Sequence, residues 1–248
     1  MCGRYVSPEQ AAIERAWHIG RHNNAPFKRR FNTFPTDTIA FLRFAPESTE
    51  LELDTGRWGF VPHWWKDAKF PHTSHMARVE EAAGKPMWRD AWRRWRCLIP
   101  AEGWYEWQVV ERVDPRIRHF AGEVKPGKQP HFIHRADGKL FCFAGLMSYC
   151  KNPQSGEPLL SCAVLTAAAD GELATIHDRT PVVLPDAAHA AWLDRALTDA
   201  EQVKRIADAR VKAEEFAHWK VRLLVNNTRI DGPELIEPLK AEISKEKS

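Results

Sequence analysis

The sequence lacks several features that would assign it to a class at once. It has no apolar run long enough to span a membrane and no signal-peptide core, so we expect a cytoplasmic protein with no membrane partner. Its five cysteines include no C-x-x-C pair, which argues against a zinc ribbon and a thioredoxin-type redox motif. The net charge is only +3, so a cationic face must come from local clustering. We expect no metal and no organic cofactor.

Tryptophan, in contrast, is abundant, with eleven in 248 residues. Most of them are expected to build a large aromatic core. Three fall on one face of a helix predicted over residues 82–96: Trp88, Trp92 and Trp95. An arginine follows each of them by one position: Arg89, Arg93 and Arg96. These arginines predict a cationic stripe that is either a solvated helix face or a contact with nucleic acid.

Runs of β-forming residues separated by short helical patterns predict an α+β fold. Strands are expected at 3–6, 37–44, 50–58, 97–110, 159–167 and 219–225, and two strands joined by a hairpin turn at 136–138 are expected within 130–149. Other helices are expected at 8–18, 187–197 and 199–212, with capping boxes that begin at Ser7 and Thr198. Residues 110–129 resemble a long exposed loop. No linker divides residues 1–239, which we interpret as one domain, and the charged tail 240–248 is expected to be disordered.

The motif MCGRY places a cysteine at the second position, next to the initiator methionine. Removal of Met1 would leave Cys2 with a free α-amine beside its thiol. About a quarter of an α-amine is neutral at physiological pH, against roughly one lysine in a thousand. The amine can form an imine with an aldehyde, and the thiol can then close a thiazolidine ring on the same carbon. The alternative is that Cys2 is only a small apolar residue at a chain end.

Aldehyde capture also requires groups that transfer protons, and two motifs supply them. AEGWYEW contains Glu102 and Glu106, and TIHDRTP contains His177. Glu106 could equally be a solvent-facing strand residue, and His177 could be a capping or packing residue. His131 and His134 are three residues apart on a predicted strand and would point to opposite faces, so they do not form a metal pair.

Together these motifs resemble the SOS-response-associated peptidase family, the abasic-site-processing proteins. The resemblance extends along nearly the whole chain, and the ordered set of motifs is more specific than any one of them. The matching segments are MCGRY (1–5), RFNTFP (30–35), RWGFVPHWW (57–65), ARVE (77–80), AEGWYEW (101–107), KQPHFIHRADG (128–138), FAGL (143–146), LTAAADGELATIHDRTPVVL (165–184), VNN (225–227) and DGPELIEPL (231–239).

The resemblance implies a single α+β domain with a mainly antiparallel, barrel-like core and peripheral helices. It also implies that Cys2 traps the ring-opened sugar of an abasic site in single-stranded DNA as a thiazolidine, which shields the lesion from strand cleavage. Glu106 would assist imine formation and ring closure as acid and base. His177 would position the sugar and promote reversal of the crosslink. The protein is expected to act as a monomer.

The resemblance also assigns residues to the bound DNA. The basic residues that match arginines in contact with phosphates are Arg4, Arg78 and Arg179. Asn32 matches the asparagine of an R-x-N-x-x-P segment that lies near the site. Trp64 and Trp65 match aromatic residues against which a flanking base can stack.

One position departs from the family pattern. The family usually has asparagine, alanine and arginine before a glutamate, whereas this chain has Met76 before Ala77 and Arg78. A thioether cannot donate a hydrogen bond to the lesion and accepts only weakly. We therefore expect Met76 to slow crosslinking without abolishing it.

Two other functions remain open at the level of sequence. Cys2, Glu106 and His177 could form a thiol peptidase that includes removal of its own leading residue. Alternatively, the chain could bind single-stranded DNA without covalent chemistry, if Met1 is retained or Met76 disables the site. Whether Met1 is retained is the simplest test. While Met1 is present, the nitrogen of Cys2 is an amide and cannot form an imine, so covalent capture of an aldehyde through it is excluded.

Overall fold

A computed structural model of the chain describes residues 3–22, 26–45, 48–71, 74–111 and 127–239. Strands dominate this part of the chain, as its β-branched and aromatic runs predict. Their bounds are β1 Arg4–Ser7, β2 Arg21–His22, β3 Arg30–Thr33, β4 Thr38–Phe44, β5 Leu51–Trp58, β6 Met76–Arg78, β7 Arg96–Ala101, β8 Gly103–Val110, β9 Gly127–Arg135, β10 Phe141–Lys151, β11 Pro158–Ala168, β12 Arg179–Pro181, β13 Val183–Leu184 and β14 Phe216–Lys220.

The helices are short and lie outside the sheets. Their bounds are α1 Gln10–Trp17, α2 Val79–Ala82, α3 Arg89–Arg94, α4 His189–Leu193 and α5 Ala200–Asp208. Short 3₁₀ turns occur at Gly171–Thr175, Asp186–Ala188, Ala213–Glu215, Leu223–Asn226 and Pro233–Leu235. Within the described ranges, no helix has the length and apolarity needed to cross a membrane.

Five strands close into a barrel. Antiparallel pairing joins β11 to β10, β10 to β7, β7 to β4 and β4 to β5. The ring closes where β5 runs parallel to β11, with Trp58 opposite Cys162. An odd number of strands requires one parallel contact in a ring that otherwise alternates in direction. Gly56 permits this close approach, because a Cβ atom there would lie 2.9 Å from the Leu160 carbonyl oxygen.

A second, antiparallel sheet has the strand order β14-β9-β8-β1-β3 and packs on the barrel. Because side chains alternate along a strand, Tyr5 and Trp104 share the face that is directed at the barrel. The ring centroids are 5.3 Å apart for Tyr5 and Trp58, and 6.1 Å apart for Trp104 and Phe143. Glu106 is two residues beyond Trp104 on β8, so the same alternation directs it inward, not to solvent.

The predicted α+β class with a mainly antiparallel, barrel-like core is confirmed. The single helix predicted over 82–96 is wrong, because the chain forms α2, an interruption and then α3. Pro86 lies in the interruption and has no amide hydrogen to donate within a helix. Trp88 and Trp92 are buried, but Trp95 is 45% exposed, so the three tryptophans do not share one buried face.

The arginine stripe is also wrong, because Arg96 is buried in β7. Its guanidinium donates hydrogen bonds to carbonyl oxygens near the C-terminal ends of two helices, those of Trp92, Arg93, Trp192, Asp194 and Leu197. Helix ends leave such carbonyls without partners, and one guanidinium satisfies several of them. Burial lowers the pKa of Arg96 to about 10.

Both predicted capping boxes are wrong. Ser7 is buried at the end of β1, and α1 begins after Glu9. The N-cap of α5 is Asp199, one residue after Thr198, and its side chain accepts the amide N–H of Gln202 at 2.8 Å.

Two segment predictions fall largely outside the described residues. Of the loop expected at 110–129, residues 112–126 are not described, and β9 already begins at Gly127. The tail at 240–248 is likewise outside the described ranges. The last core strand is β14, which ends at Lys220 and not at residue 225.

Candidate active site

The two residues expected to transfer protons, Glu106 and His177, meet at one cleft. Glu106 lies on β8, and His177 follows the 3₁₀ turn Gly171–Thr175. That turn crosses the inward face of the second sheet, where Gln108 Nε2 donates to the Thr175 carbonyl at 3.0 Å. As a result, His177 Nε2 is 3.9 Å from Glu106 Oε1.

Glu106 is a buried carboxyl group with only 2% of its surface exposed. Burial raises its pKa, since the charged form loses solvation, while the nearby His177 has the smaller, opposite effect. A carboxyl group with a raised pKa can act as an acid nearer neutral pH and can then accept a proton as a base. The alternative of a solvent-facing Glu106 is therefore excluded.

The orientation of His177 is set by its other ring nitrogen. Nδ1 accepts the backbone N–H of Arg179 at 3.0 Å, and Asp178 Oδ1 lies 2.8 Å from the same atom. The Arg179 N–H requires an unprotonated Nδ1, whereas a hydrogen bond to the Asp178 carboxylate requires a protonated one. The Asp178 side chain is 84% exposed, whereas the Arg179 donor belongs to the backbone, so we assign the tautomer from the backbone hydrogen bond. In the neutral ring the proton is then on Nε2, the nitrogen nearer Glu106.

The cleft has a volume of about 250 Å³, and the residues that line it are Glu106, Trp107, Lys128 and His177. It brings together a carboxyl group, an imidazole, an ammonium group and an indole in a space suited to a small polar group. A larger cavity of about 1390 Å³ opens between the ends of α1 and α4, but none of the predicted site residues lines it. The smaller cleft is therefore the candidate active site.

Arg4 and Asn32 form one hydrogen-bonded unit beside β1 and β3. Arg4 Nη1 donates to Asn32 Oδ1 at 2.7 Å and to the Val225 carbonyl at 2.6 Å. The Asn32 amide nitrogen donates to the carbonyls of Asn227 and Ile230 at 3.1 and 2.8 Å. Asn32 is fully buried, so in this structure its side chain positions Arg4 and the 225–230 segment.

The last residues of β11 bring Met76, Arg78 and Arg179 into one region. β6 runs parallel to β11 with Arg78 opposite Thr166, and β12 runs antiparallel to it with Arg179 opposite Ala168. Met76 is partly buried and packs against the core between the two sheets. The side chain of Arg78 is 60% exposed and approaches Glu81 at 3.7 Å.

Arg179 is held much more firmly than Arg78. Its two terminal nitrogens donate to the two carboxylate oxygens of Glu80 at 2.8 and 2.9 Å, and one of them also donates to the Thr166 carbonyl at 2.6 Å. The hydrogen bond from Arg179 lowers the pKa of Glu80. A phosphate would have to share or replace this bidentate partner.

Two further predicted positions are not joined to the cleft by any described contact. Trp64 and Trp65 lie between β5 and β6, with ring centroids 6.0 Å apart, and Trp64 is 45% exposed. Trp65 is fixed by a hydrogen bond from its indole nitrogen to the Lys69 carbonyl at 3.1 Å. Cys2 lies outside the described residues.

A family model for the SOS response associated peptidase (SRAP) matches residues 1–228. The chain belongs to the SRAP family. It is 33% identical over 213 residues to the abasic site processing protein YedK of Escherichia coli, covering 85% of each chain. It is 31% identical over 244 residues to the abasic site processing protein YoqW of Bacillus subtilis, covering 96% of this chain and 99% of that one.

Solved structures agree with the fold of this SRAP chain. A crystal structure of a protein from Bacteroides thetaiotaomicron superposes with a TM-score of 0.75 at 18% identity, covering 97% of this chain and all of the other. At that level of identity the match concerns the fold alone. A protein from Bordetella bronchiseptica gives a TM-score of 0.70 at 25% identity, covering 90% of this chain and all of the other.

Three residues lie at the candidate site although the sequence analysis did not predict them there. Trp107 and Lys128 line the cleft, and Glu80 pairs with Arg179. Lys128 was missed because it fell in the loop predicted at 110–129, although it is the first residue of the KQPHFIHRADG motif. Trp107 and Glu80 lie within recognised motifs, but their partners come from distant parts of the chain.

Proposed function

We propose that this SRAP chain recognises abasic sites in single-stranded DNA and, after loss of Met1, crosslinks to them through Cys2. The observation that carries the proposal is the buried Glu106 carboxyl group beside His177 in a small open cleft. The abasic site processing names of YedK and YoqW support the same lesion. The protein would act as a monomer, with no metal or cofactor.

The covalent sequence begins at the α-amine of Cys2. Its nitrogen adds to the C1′ aldehyde of the ring-opened sugar to give a carbinolamine. Glu106, whose pKa is raised by burial, would give a proton to the departing hydroxyl, and water and a protonated imine (an iminium ion) result. The Cys2 sulfur then adds to C1′ while its thiol proton passes to the Glu106 carboxylate. The five-membered thiazolidine closes and Glu106 regains its proton.

The ring closure explains why the lesion would be protected. An imine at C1′ promotes elimination of the neighbouring phosphate, as in lyase-type Schiff-base chemistry. The thiazolidine consumes that imine and leaves the strand intact. The Nε2–H of His177 would orient a hydroxyl group of the same sugar and return a proton when the ring reopens.

Phosphate and base contacts would position the strand around the cleft. Arg78 is the exposed arginine of the group, so we expect it to bind phosphate directly. Arg179 would bind through exchange with Glu80, and Arg4 would act from the position fixed by Asn32. The exposed face of Trp64, with Trp65 behind it, would stack on a flanking base.

The direct test is incubation of the mature protein with single-stranded DNA from which one uracil base has been excised, followed by a denaturing gel. We expect a slow-migrating covalent adduct with the abasic strand and none with undamaged DNA. Intact-mass measurement establishes in parallel that Met1 is absent, since the α-amine must be free. Mature protein that gives no adduct with the abasic strand contradicts the proposal.

A second candidate function is thiol peptidase activity by the same three groups, including removal of Met1. The family description as a peptidase favours it, as does the carboxyl–imidazole pair. Release of Met1 by the wild-type chain but not by Cys2→Ala, in the absence of aminopeptidase, would establish it. Hydrolysis of an unrelated peptide without DNA would extend it to other substrates. If Met1 is retained, we expect the chain to bind single-stranded DNA without forming a covalent adduct.

Met76→Asn should accelerate crosslinking. The substitution replaces a partly buried thioether on β6 with an amide that can donate a hydrogen bond to the sugar. One added hydrogen bond in the transition state corresponds to about a threefold to tenfold increase in rate. The rate of adduct formation under single-turnover conditions measures the effect. A slower Met76→Asn variant with an unchanged melting temperature would show that methionine serves this site better.

A further inference from the structure

Arg57 is a partly buried arginine near the end of β5 that forms no ion pair within the described residues. Its guanidinium carbon lies 4.5 Å from the centroid of the Phe70 ring. Gly59 leaves room for the guanidinium beside the backbone, because a Cβ atom there would be 3.3 Å from Nε and 3.8 Å from Nη2. An aromatic ring and a glycine therefore hold the charged group of Arg57 in one place.

The hydrogen bonding of Arg57 is sparse. Nη1 donates to the Thr36 carbonyl at 3.5 Å, which is long for a hydrogen bond, and Nε is buried with no hydrogen-bond partner in the described part of the chain. Burial lowers the pKa of Arg57, because the charged form loses solvation. Among the described residues, one weak hydrogen bond thus serves a group with five N–H donors.

Other partly buried arginines of the barrel have close acidic partners. Arg43 donates to Asp54 at 2.6 Å, and Arg179 donates to Glu80 at 2.8 Å. Removing a charge from water costs free energy unless a partner of opposite charge offsets the loss, so such pairs are the usual arrangement. Arg57 departs from it, and an anion that is not part of the chain would complete the site.

On one side Arg57 adjoins the segment that contacts Arg4. Thr36, whose carbonyl accepts from Arg57, lies in a tight turn that is closed by a hydrogen bond from the Asp37 N–H to the Phe34 carbonyl at 3.1 Å. The Phe34 ring centroid is 5.4 Å from the guanidinium carbon of Arg4. Arg4 is one of the arginines expected to contact phosphate.

On the other side Arg57 adjoins the segment that carries the two tryptophans between β5 and β6. Phe70 follows Lys69, whose carbonyl accepts the indole N–H of Trp65 at 3.1 Å. Trp64 is 45% exposed and is expected to stack on a flanking base. A DNA strand that runs between the two segments would therefore pass Arg57.

We propose that Arg57 binds a phosphate of the DNA strand, next to the base that stacks on Trp64. The inference rests on the proposed function, which places the same strand over the cleft, and it adds a contact that the family resemblance did not assign. A phosphodiester fits the site because its two free oxygens match the planar fork of a guanidinium. Phe70 would hold the fork in place before DNA arrives, which reduces the entropy lost on binding.

Arg57→Met tests this contact, because methionine keeps an unbranched side chain beside Phe70 and removes the charge. The probe is single-stranded DNA whose abasic sugar has been reduced to the alcohol, so that binding stays reversible. We expect roughly tenfold weaker binding at low salt, as for the loss of one charge-assisted contact. The slope of log affinity against log salt concentration should fall in magnitude by about 0.7. The crosslinking rate at saturating DNA should be unchanged, because Arg57 does not line the cleft.

Arg94→Met is the matched control, since it removes the same charge from an exposed position of α3. Its affinity and salt slope should stay near the wild-type values. Equal losses in Arg57→Met and Arg94→Met would reduce the effect to net charge and overturn the inference.

Methylphosphonate placed at each phosphate of the probe in turn gives a second test, which does not depend on the stability of the variant. One position should weaken binding to the wild-type chain and have no effect on binding to Arg57→Met. The absence of any such position would overturn the inference.

The outcomes separate this inference from the proposed function. A wild-type chain that neither binds the reduced abasic strand nor crosslinks to the unreduced one contradicts the proposed function. A wild-type chain that does both, together with wild-type affinity in Arg57→Met, overturns the phosphate site alone. Weaker binding by Arg57→Met with an unchanged salt slope indicates a structural defect and also counts against the phosphate site.

Discussion

Cys2→Ala should give no DNA adduct that survives denaturation, while the wild-type chain gives one. The substitution removes the sulfur that closes the thiazolidine, and the imine left behind is hydrolysed when the protein unfolds. Borohydride should still trap that imine in Cys2→Ala, because the α-amine remains. Gel mobility with and without borohydride measures both steps.

The other cysteines provide matched controls. Cys97, Cys142 and Cys162 are fully buried, and burial raises the pKa of each thiol, so none is available as a thiolate. Cys150 is the least buried of the four and is the best position for a control substitution. Cys150→Ala should crosslink at the wild-type rate. A denaturation-resistant adduct in Cys2→Ala without borohydride would place the nucleophile elsewhere.

Glu106→Gln should slow crosslinking by about a hundredfold or more, since the amide can neither give nor take the required proton. The same variant should be no less stable than the wild type at neutral pH. The folded state binds the Glu106 proton more tightly than the unfolded state, so the wild type loses stability as pH rises above about 4.5 towards the raised pKa. Single-turnover rates and urea unfolding at several pH values measure the two effects.

Glu102→Gln is the control for Glu106→Gln. Glu102 lies four residues earlier in the same motif, and its carboxylate pairs with Arg29 outside the cleft. It should crosslink at nearly the wild-type rate. Equal losses in the two variants would mean that the Glu106 position has no special role. A Glu106→Gln chain that unfolds at lower urea concentration at neutral pH would contradict the stability argument.

Motif order was enough to predict the family, the α+β class and the candidate residues. Cys2 stands out for its chemistry at the second position, and Glu106 and His177 stand out because they lie in recognisable motifs. Local periodicity was less reliable. It placed Arg96 on a cationic helix stripe, whereas the structure buries it beneath the ends of two helices, one of which is almost a hundred residues away in the chain.

The same limit applies to the predicted DNA contacts. Motif reading treats Asn32 and Arg179 as similar ligands, but Asn32 is fully buried beside Arg4 and Arg179 is paired with Glu80. Whether a residue is buried or paired depends on which side chains from distant strands come within hydrogen-bond distance of it. The spacing of residues within a motif does not predict these contacts.

The sequence by itself determined which chemical groups are available: a thiol at the second position, and a carboxyl group and an imidazole in ordered motifs. Only the tertiary structure decided that Glu106 is buried 3.9 Å from His177, and that Arg57 lies over Phe70 with no carboxylate beside it in the described residues. The reason is that reactivity depends on solvation and contact. Both are set by strand pairing and by the 3₁₀ turn Gly171–Thr175 that crosses the second sheet.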